Sequence, residues 1–236
     1  MSDYLFVKSK EEFKKETLLK TAKNLDNKFI NKKNQFISFK SKNFNYYFVL
    51  NGAKTNEIYS FKKGIILLFV GNIFNFNKLK NNKKSIVNQI LDGYLKYGMS
   101  FIKKLDGNFT ILILDINNDQ IYTVRDRHGL NILFYYKKND LLLIFTKIRF
   151  LKNFLIKLEP NWNLVKLYLF KNYRYSYATV ETFFKDVFLF KNNSINFFKK
   201  GKLKTSSLFV FVIKNTVVTN IDKIKKDFLK LLSESF

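Results

Sequence analysis

One segment constrains the fold of this chain more than any other. Phe109-Thr110-Ile111-Leu112-Ile113-Leu114 carries apolar residues at odd and even positions alike. Side chains of a β-strand alternate between its two faces, so a strand here must be covered on both. A half-solvated sheet provides no such cover. Two stacked sheets with helices outside do, because each strand then meets the other sheet on one face and a helix on the other. The predicted fold is therefore α+β, a four-layer αββα sandwich of two mainly antiparallel sheets.

The rest of the chain supplies parts for it. Residues Ser9 to Phe29 carry Phe13, Leu18, Ala22, Leu25 and Phe29 at mostly helical spacing and predict an amphipathic helix. Gln35–Phe39, Phe44–Leu50 and Ile65–Val70 read as strands, the last apolar on both faces. Ile86, Val87, Ile90, Leu91 and Tyr94 form one face of a helix ending near Gly98. Phe109–Ile116, Gln120–Arg125, Leu133–Tyr136 and Leu141–Phe145 follow as strands. Asn117-Asn118-Asp119, Arg127-His128-Gly129 and Lys138-Asn139-Asp140 separate them, which predicts an antiparallel meander. With 8 Gly and 1 Pro in 236 residues there is little material for a flexible linker.

Composition narrows the chemistry. The absence of Cys excludes disulfides, thiol catalysis and thiolate metal sites, and a lone His, His128, leaves no His-rich metal centre. No cofactor and no metal is expected. The 43 Lys and Arg against 18 Asp and Glu give a net charge of +25, the balance of a polyanion binder. Yet the lysines are scattered in ones and twos, as at Lys14-Lys15, Lys62-Lys63 and Lys199-Lys200. That spread reads as compositional drift of the source proteome rather than as a nucleic-acid footprint. Phe197-Phe198-Lys199-Lys200 could stack bases, but packing in a sheet core is the expected role of those rings. The amino terminus lacks a signal-peptide pattern, and the longest apolar stretch, near Ile65–Val70, is too short to span a bilayer. A cytoplasmic protein that does not engage membranes is expected.

Leu105-Asp106-Gly107-Asn108-Phe109 through Asp115, followed by Val124-Arg125-Asp126-Arg127-His128-Gly129-Leu130-Asn131-Ile132-Leu133-Phe134-Tyr135-Tyr136, resembles the amino-terminal domain of the asparagine synthetase family. Leu68-Phe69-Val70-Gly71-Asn72-Ile73-Phe74-Asn75 is similar to that family's Val-x-Asn-Gly-Glu-Ile-Tyr-Asn. Leu142 to Leu151, with Phe145-Thr146-Lys147-Ile148-Arg149-Phe150-Leu151, looks like its Phe-Ala-Ser-Glu-Ile-Lys-Ala-Leu segment. The resemblance implies a class II glutamine amidotransferase domain of amino-terminal-nucleophile (Ntn) hydrolase type. Such a domain releases ammonia from glutamine for asparagine synthesis, and its fold agrees with the sandwich argued from burial.

Set against that family, this chain departs at the reacting groups. The nucleophilic Cys is replaced by Ser2, and the Gly after it by Asp3. The Asn-Gly pair that holds the oxyanion is Val70-Gly71, so Gly71 is the surviving backbone position of that hole. No carboxylate stands near Ser85-Ile86, where the family grips the substrate amine, and no Arg precedes Arg125 to clamp its carboxylate. Arg125, Asp126, Arg127 and Gly129 are expected to form a structural corner, with an internal ion pair and a glycine at positive φ. The leading expectation is a domain that has lost glutaminase activity and serves as a scaffold or as the partner subunit of a separate ATP-dependent synthetase-like protein. The alternatives are an active amidohydrolase with Ser2 as nucleophile, or a basic nucleic-acid-binding module.

Residues 1–215 would form that domain. Residues 216–236 would form a linker and an amphipathic helix resembling the start of a synthetase domain, whose ATP-binding Ser-Gly-Gly-x-Asp-Ser is not present. Ile221, Ile224, Phe228, Leu231 and Leu232 line one face of that helix. They are expected to fold back onto the sandwich, to self-associate or to dock on the partner.

Overall fold

A computed structural model describes residues 3–23, 35–51, 59–75, 84–152, 154, 157–171, 179–199, 201–210 and 221–235. Its described strands form two six-stranded sheets. The first contains β1 (Asp3–Ser9), β2 (Gln35–Lys40), β3 (Asn45–Asn51), β8 (Phe134–Lys138), β9 (Leu141–Phe145) and β10 (Val187–Leu189), in the order β10-β8-β9-β1-β3-β2. The second contains β4 (Tyr59–Lys62), β5 (Ile65–Ile73), β6 (Gly107–Asp115), β7 (Gln120–Arg125), β11 (Ser194–Lys199) and β12 (Lys202–Ser207), in the order β12-β11-β7-β6-β5-β4. Every pairing between these strands is antiparallel.

Period-two alternation sends each central strand into two apolar layers. Leu112 and Leu114 of β6 enter the core between the sheets, where they join Phe6, Phe48, Leu68 and Ile144. Phe109, Ile111 and Ile113 point the other way, into a layer closed by Val87, Ile90 and Leu91 of α2 (Ile86–Tyr97) and Ile102 of α3 (Met99–Ile102). The first sheet is covered likewise: Leu5, Val7, Val49 and Phe145 pack with Leu18 of α1 (Lys15–Lys23) and with Phe150 and Leu151 of α4 (Arg149–Lys152). These three apolar layers make the αββα sandwich expected from the two-faced strand. Two further helices are α5 (Trp162–Lys171) and α6 (Ile221–Ser235).

Two expectations are corrected. The early helix does not begin at Ser9: that residue ends β1, every residue of which is buried, and α1 starts at Lys15. Residues 24–29 of the predicted helix lie outside the described residues. β1 is invisible in the sequence because its apolar run, Tyr4–Val7, is only four residues long and its partners β3 and β9 are remote. The strands from Phe109 to Phe145 are also not one meander. β6 pairs with β7 in the second sheet and β8 with β9 in the first, so the chain changes sheets between Arg125 and Phe134. The ring reading of Phe197-Phe198 is met by packing: Phe198 lies in the inter-sheet core, and Phe197 stacks on Tyr122 with centroids 4.6 Å apart.

Each end of the sandwich has its own closure. At the end where β1 finishes, Lys8 Nζ lies 2.5 Å from Asp119 Oδ1 in the β6–β7 turn, and the Tyr46 hydroxyl donates to the same carboxylate at 2.7 Å. That clamp ties β1 and β3 of one sheet to the turn of the other. The opposite end is built around Gly71 and Arg125.

Because Leu112 is fully buried between the sheets, Leu112→Ala is expected to cost about 2–5 kcal/mol through lost transfer energy and the cavity left behind. The exposed Tyr97 replaced by Ala should stay within about 0.5 kcal/mol. Urea unfolding of the two variants checks the contrast.

Candidate functional site

The registers of β5, β6, β7 and β11 place Val70, Thr110, Arg125 and Ser194 in one row across the second sheet. Their neighbours in sequence alternate into the helix-covered layer, so this row faces the first sheet. Val70 packs there among Leu68, Tyr4 and Phe6 and is 6% exposed. It fills with alkyl groups the place where the resemblance calls for a hydrogen-bond donor. Gly71, the next residue, has φ +130°, and any side chain would overlap the Asn108 carbonyl oxygen of the neighbouring strand. Asn131 Nδ2 donates to that same oxygen at 2.9 Å. Glycine at 71 is thus required by the close approach of β5 and β6, whatever its amide does.

Ser2 lies outside the described residues. The first described residue, Asp3, is buried, and both of its carboxylate oxygens are engaged. Its Oδ2 pairs with Lys147 Nζ at 2.7 Å, and its Oδ1 accepts from the Thr146 hydroxyl at 3.2 Å. The backbone N–H of Tyr4 donates to Thr146 Oγ1 at 3.1 Å, and the Thr146 N–H to the Tyr4 carbonyl at 3.2 Å. This clip joins the start of β1 to the end of β9. Sequence reasoning noted Asp3 only as a departure from Gly; the partners could not be found because they lie more than a hundred residues away.

The corner after β7 differs in its bonding from the expected ion pair. Arg125 is buried and donates from Nε to the Asn131 carbonyl at 3.0 Å, from Nη1 to the Phe190 carbonyl and from Nη2 to the Gly129 carbonyl. Asp126 turns instead to the backbone, its Oδ1 accepting from the amides of His128 at 2.9 Å and Gly129 at 2.7 Å. Carbonyls rather than a carboxylate satisfy the guanidinium because its planar fork matches three convergent oxygens. Gly129 adopts φ +65°, closing the turn under that guanidinium. Burial pulls Arg125 below its ordinary pKa, while Asp126 and Tyr4 pull it back up. Arg127 lays its guanidinium over the Phe209 ring, 4.1 Å from the centroid. His128 is exposed, so it sits on the outer side of the turn rather than in a protected cleft.

At this end Arg125 and Asp126 Oδ1 hold backbone, while the buried Tyr4 hydroxyl, Thr110 Oγ1 and Asp126 Oδ2 have no hydrogen-bond partner among the described residues. Burial pushes the Tyr4 hydroxyl well above its ordinary pKa, so it stays protonated near neutrality. The guanidinium is spent on carbonyls, and the Asp3 carboxylate on Lys147 and Thr146. Three clefts open elsewhere on the described surface. One of about 340 Å³ lies beside Trp162, Glu181 and Phe188, one of about 460 Å³ between Ser9–Phe13 and the β8–β9 turn, and one of about 60 Å³ near Lys8. None of these three is lined by Asp3, Val70, Gly71 or Arg125.

The fold and its motifs have counterparts among known proteins. Residues 50–209 match the family model of a glutamine amidotransferase domain. A 70-residue stretch is 41% identical to part of the amidase chry2 of Gibberella zeae, covering 29% of this chain and 10% of that protein. A 92-residue stretch is 30% identical to part of the glutamine-hydrolyzing asparagine synthetase 2 of Bacillus subtilis, covering 36% of this chain and 12% of that one. The matched segments thus span about a tenth of these relatives' length. In fold, the chain is similar to the glutamine phosphoribosylpyrophosphate amidotransferase of B. subtilis complexed with ADP and GMP, with a TM-score of 0.54 at 10% identity, over 89% of this chain and 50% of that one. An allosteric regulatory enzyme of purine biosynthesis gives a TM-score of 0.56 at 9% identity, again over 89% and 50%.

At the corner, Arg125→Lys is expected to lose about 2–4 kcal/mol, because an ammonium cannot serve three carbonyls in a plane and leaves buried acceptors unmet. His128→Ala should change stability by less than about 0.5 kcal/mol. Equilibrium denaturation of both variants tests the division between a structural arginine and an idle histidine.

Proposed function

The chain belongs to the glutamine amidotransferase domain family, class II, and from that membership we propose that it has lost glutaminase activity and serves as a scaffold or partner subunit of a separate synthetase-like protein. The observation that carries this reading is Val70, buried in the inter-sheet core at the residue that the resemblance aligns with the family's oxyanion Asn. A valine side chain donates no hydrogen bond, and removing one oxyanion donor alone costs about 10²–10³ in rate. The sequence adds a Ser where the resemblance calls for Cys, and a hydroxyl is far less ionised than a thiol near neutral pH. Asp3, standing where that pattern has Gly, is committed to the clip with Thr146 and Lys147.

The α6 helix supports the partner half of the reading. Ile221, Ile224, Phe228 and Leu232 recur on one face and are exposed, from 43% at Leu232 to 78% at Ile221; the Leu231 side chain lies outside the described residues. The expected fold-back onto the sandwich leaves Ile221, Ile224 and Phe228 exposed. Their narrow stripe, repeating every three or four residues, suits the groove of another protein.

A second reading keeps activity. There Ser2 attacks an amide, with its own α-amine as base and the Gly71 N–H as the remaining oxyanion donor, and the short likeness to the amidase chry2 is what favours it.

Purified protein given glutamine is expected to release no ammonia above the buffer rate. Turnover that vanishes in Ser2→Ala would overturn the loss of activity and establish the second reading. For α6, the full chain is compared with one ending at Thr219 by sedimentation and thermal melting. Self-association of the full chain, absent from the shortened one, or capture of a synthetase-like protein by the full chain alone, is the expected outcome. Equal monomeric mass and no capture would remove the docking role.

A further inference from the structure

The helix α5 is anchored along one side and apolar around most of its circumference. Asn161 Oδ1 accepts from the Leu164 N–H at 3.4 Å and starts the helix, and Leu164 is buried. The Tyr168 ring meets the Phe183 ring edge-on, with centroids 5.4 Å apart. Leu164 and Tyr168, four residues apart, share this anchored face. Trp162 and Leu169, seven apart, share the opposite one with Phe170 beside them, and the three are 63%, 73% and 86% exposed. A helix that is apolar all round belongs in apolar surroundings. The described residues supply them on one side only.

We propose that the exposed face of α5 lies in the headgroup region of an anionic lipid bilayer and holds the sandwich against the membrane surface. Residue type and charge single out this occupant. Trp and Tyr favour the boundary between hydrocarbon and water, where an amphipathic ring meets both. Lys166 stands four residues from both Trp162 and Phe170, so it shares their face, and its stem lets the ammonium reach lipid phosphates. No Asp or Glu occurs between Glu159 and Glu181. The carboxylates Glu181 and Asp186 line the cleft at the Trp162 end of the helix, where Glu181 accepts from Asn161 Nδ2 at 3.1 Å. Leu169 and Phe170, at the far end, therefore enter the interface first.

A second copy of the same face is a poorer cover, because two chains of charge +25 would bring like-charged surfaces together. An anionic bilayer gains from that charge, and burial of the rings adds to the attraction. Lying in the interface needs no spanning segment. None of the described helices is long and apolar enough to cross a membrane, and the expectation that the chain stays clear of membranes rested on the lack of a leader and of a span. The proposal uses no residue of the amidotransferase-type end or of α6, so it is independent of whether Ser2 acts or α6 docks.

Trp162 is the single tryptophan of the chain, so α5 carries its own probe. The full chain is mixed with vesicles of phosphatidylcholine alone, or of phosphatidylcholine with phosphatidylglycerol, and followed by co-sedimentation and tryptophan emission. Binding to the phosphatidylglycerol vesicles with a blue shift of the emission, weakened by added salt, is expected. Leu169→Ser combined with Phe170→Ser should weaken that binding about tenfold or more. Both side chains are exposed, so the thermal melt should not move. Phe74→Ser combined with Tyr97→Ser removes rings that are 62% and 56% exposed elsewhere and should leave binding unchanged. No binding, equal binding to both vesicle types, binding with unmoved emission, or equal loss in the two double variants would overturn the proposal. So would a dimeric mass with blue-shifted emission before lipid is added, which would assign the face to a second copy.

Discussion

The apolar contact between the two sheets is the constraint on which everything else in this molecule rests. Leu112 and Leu114 from one sheet and Phe6, Phe48 and Ile144 from the other bury one another completely, and each buried side chain of this size contributes about 1.5–3 kcal/mol relative to exposure. Once that layer forms, alternation along the same strands commits Ile111, Ile113, Leu5 and Val7 to the outer faces. Those faces can be dry only under helices. The positions of α1, α2, α3 and α4 therefore follow from the pairing of the sheets.

Stacking two sheets from one chain requires a crossing, and the Arg125–Gly129 corner supplies it. β7 ends in a residue whose guanidinium gathers the carbonyls of Gly129, Asn131 and Phe190, while Asp126 takes the amides of the turn. Buried carbonyls without donors would each be costly, so a single arginine makes the departure from the sheet tolerable. The corner that the sequence marks out is thus the hardware of the fold.

The same holds at Val70-Gly71. Glycine at 71 is demanded by the approach of the Asn108 carbonyl, but nothing in the packing demands an amide side chain at 70, and valine serves the apolar layer better. At the start of β1, the clip of Asp3 with Thr146 and Lys147 fastens the strand edge to β9. Val70 and Asp3 thus each make a structural contact where they stand.

Much of this was legible in the sequence, for a physical reason. Local alternation and helical spacing are written in neighbouring residues, so the strands from Phe109 to Phe145, the helix of Ile86–Tyr97 and the amphipathic α6 could be read directly. The two apolar faces of one strand were enough to call for the sandwich, and the order of motifs was enough to suggest the family. What the sequence could not carry were the interactions between distant residues. The buried strand Asp3–Ser9, the bond from Arg125 to the Phe190 carbonyl and the clip from Asp3 to Lys147 each join segments far apart in the chain. Their energies arise only when burial removes water and leaves a donor or charge to whichever group the fold brings near. Residue type and spacing thus determined the layers, and tertiary contact alone decided which polar groups at their edges are spent on structure.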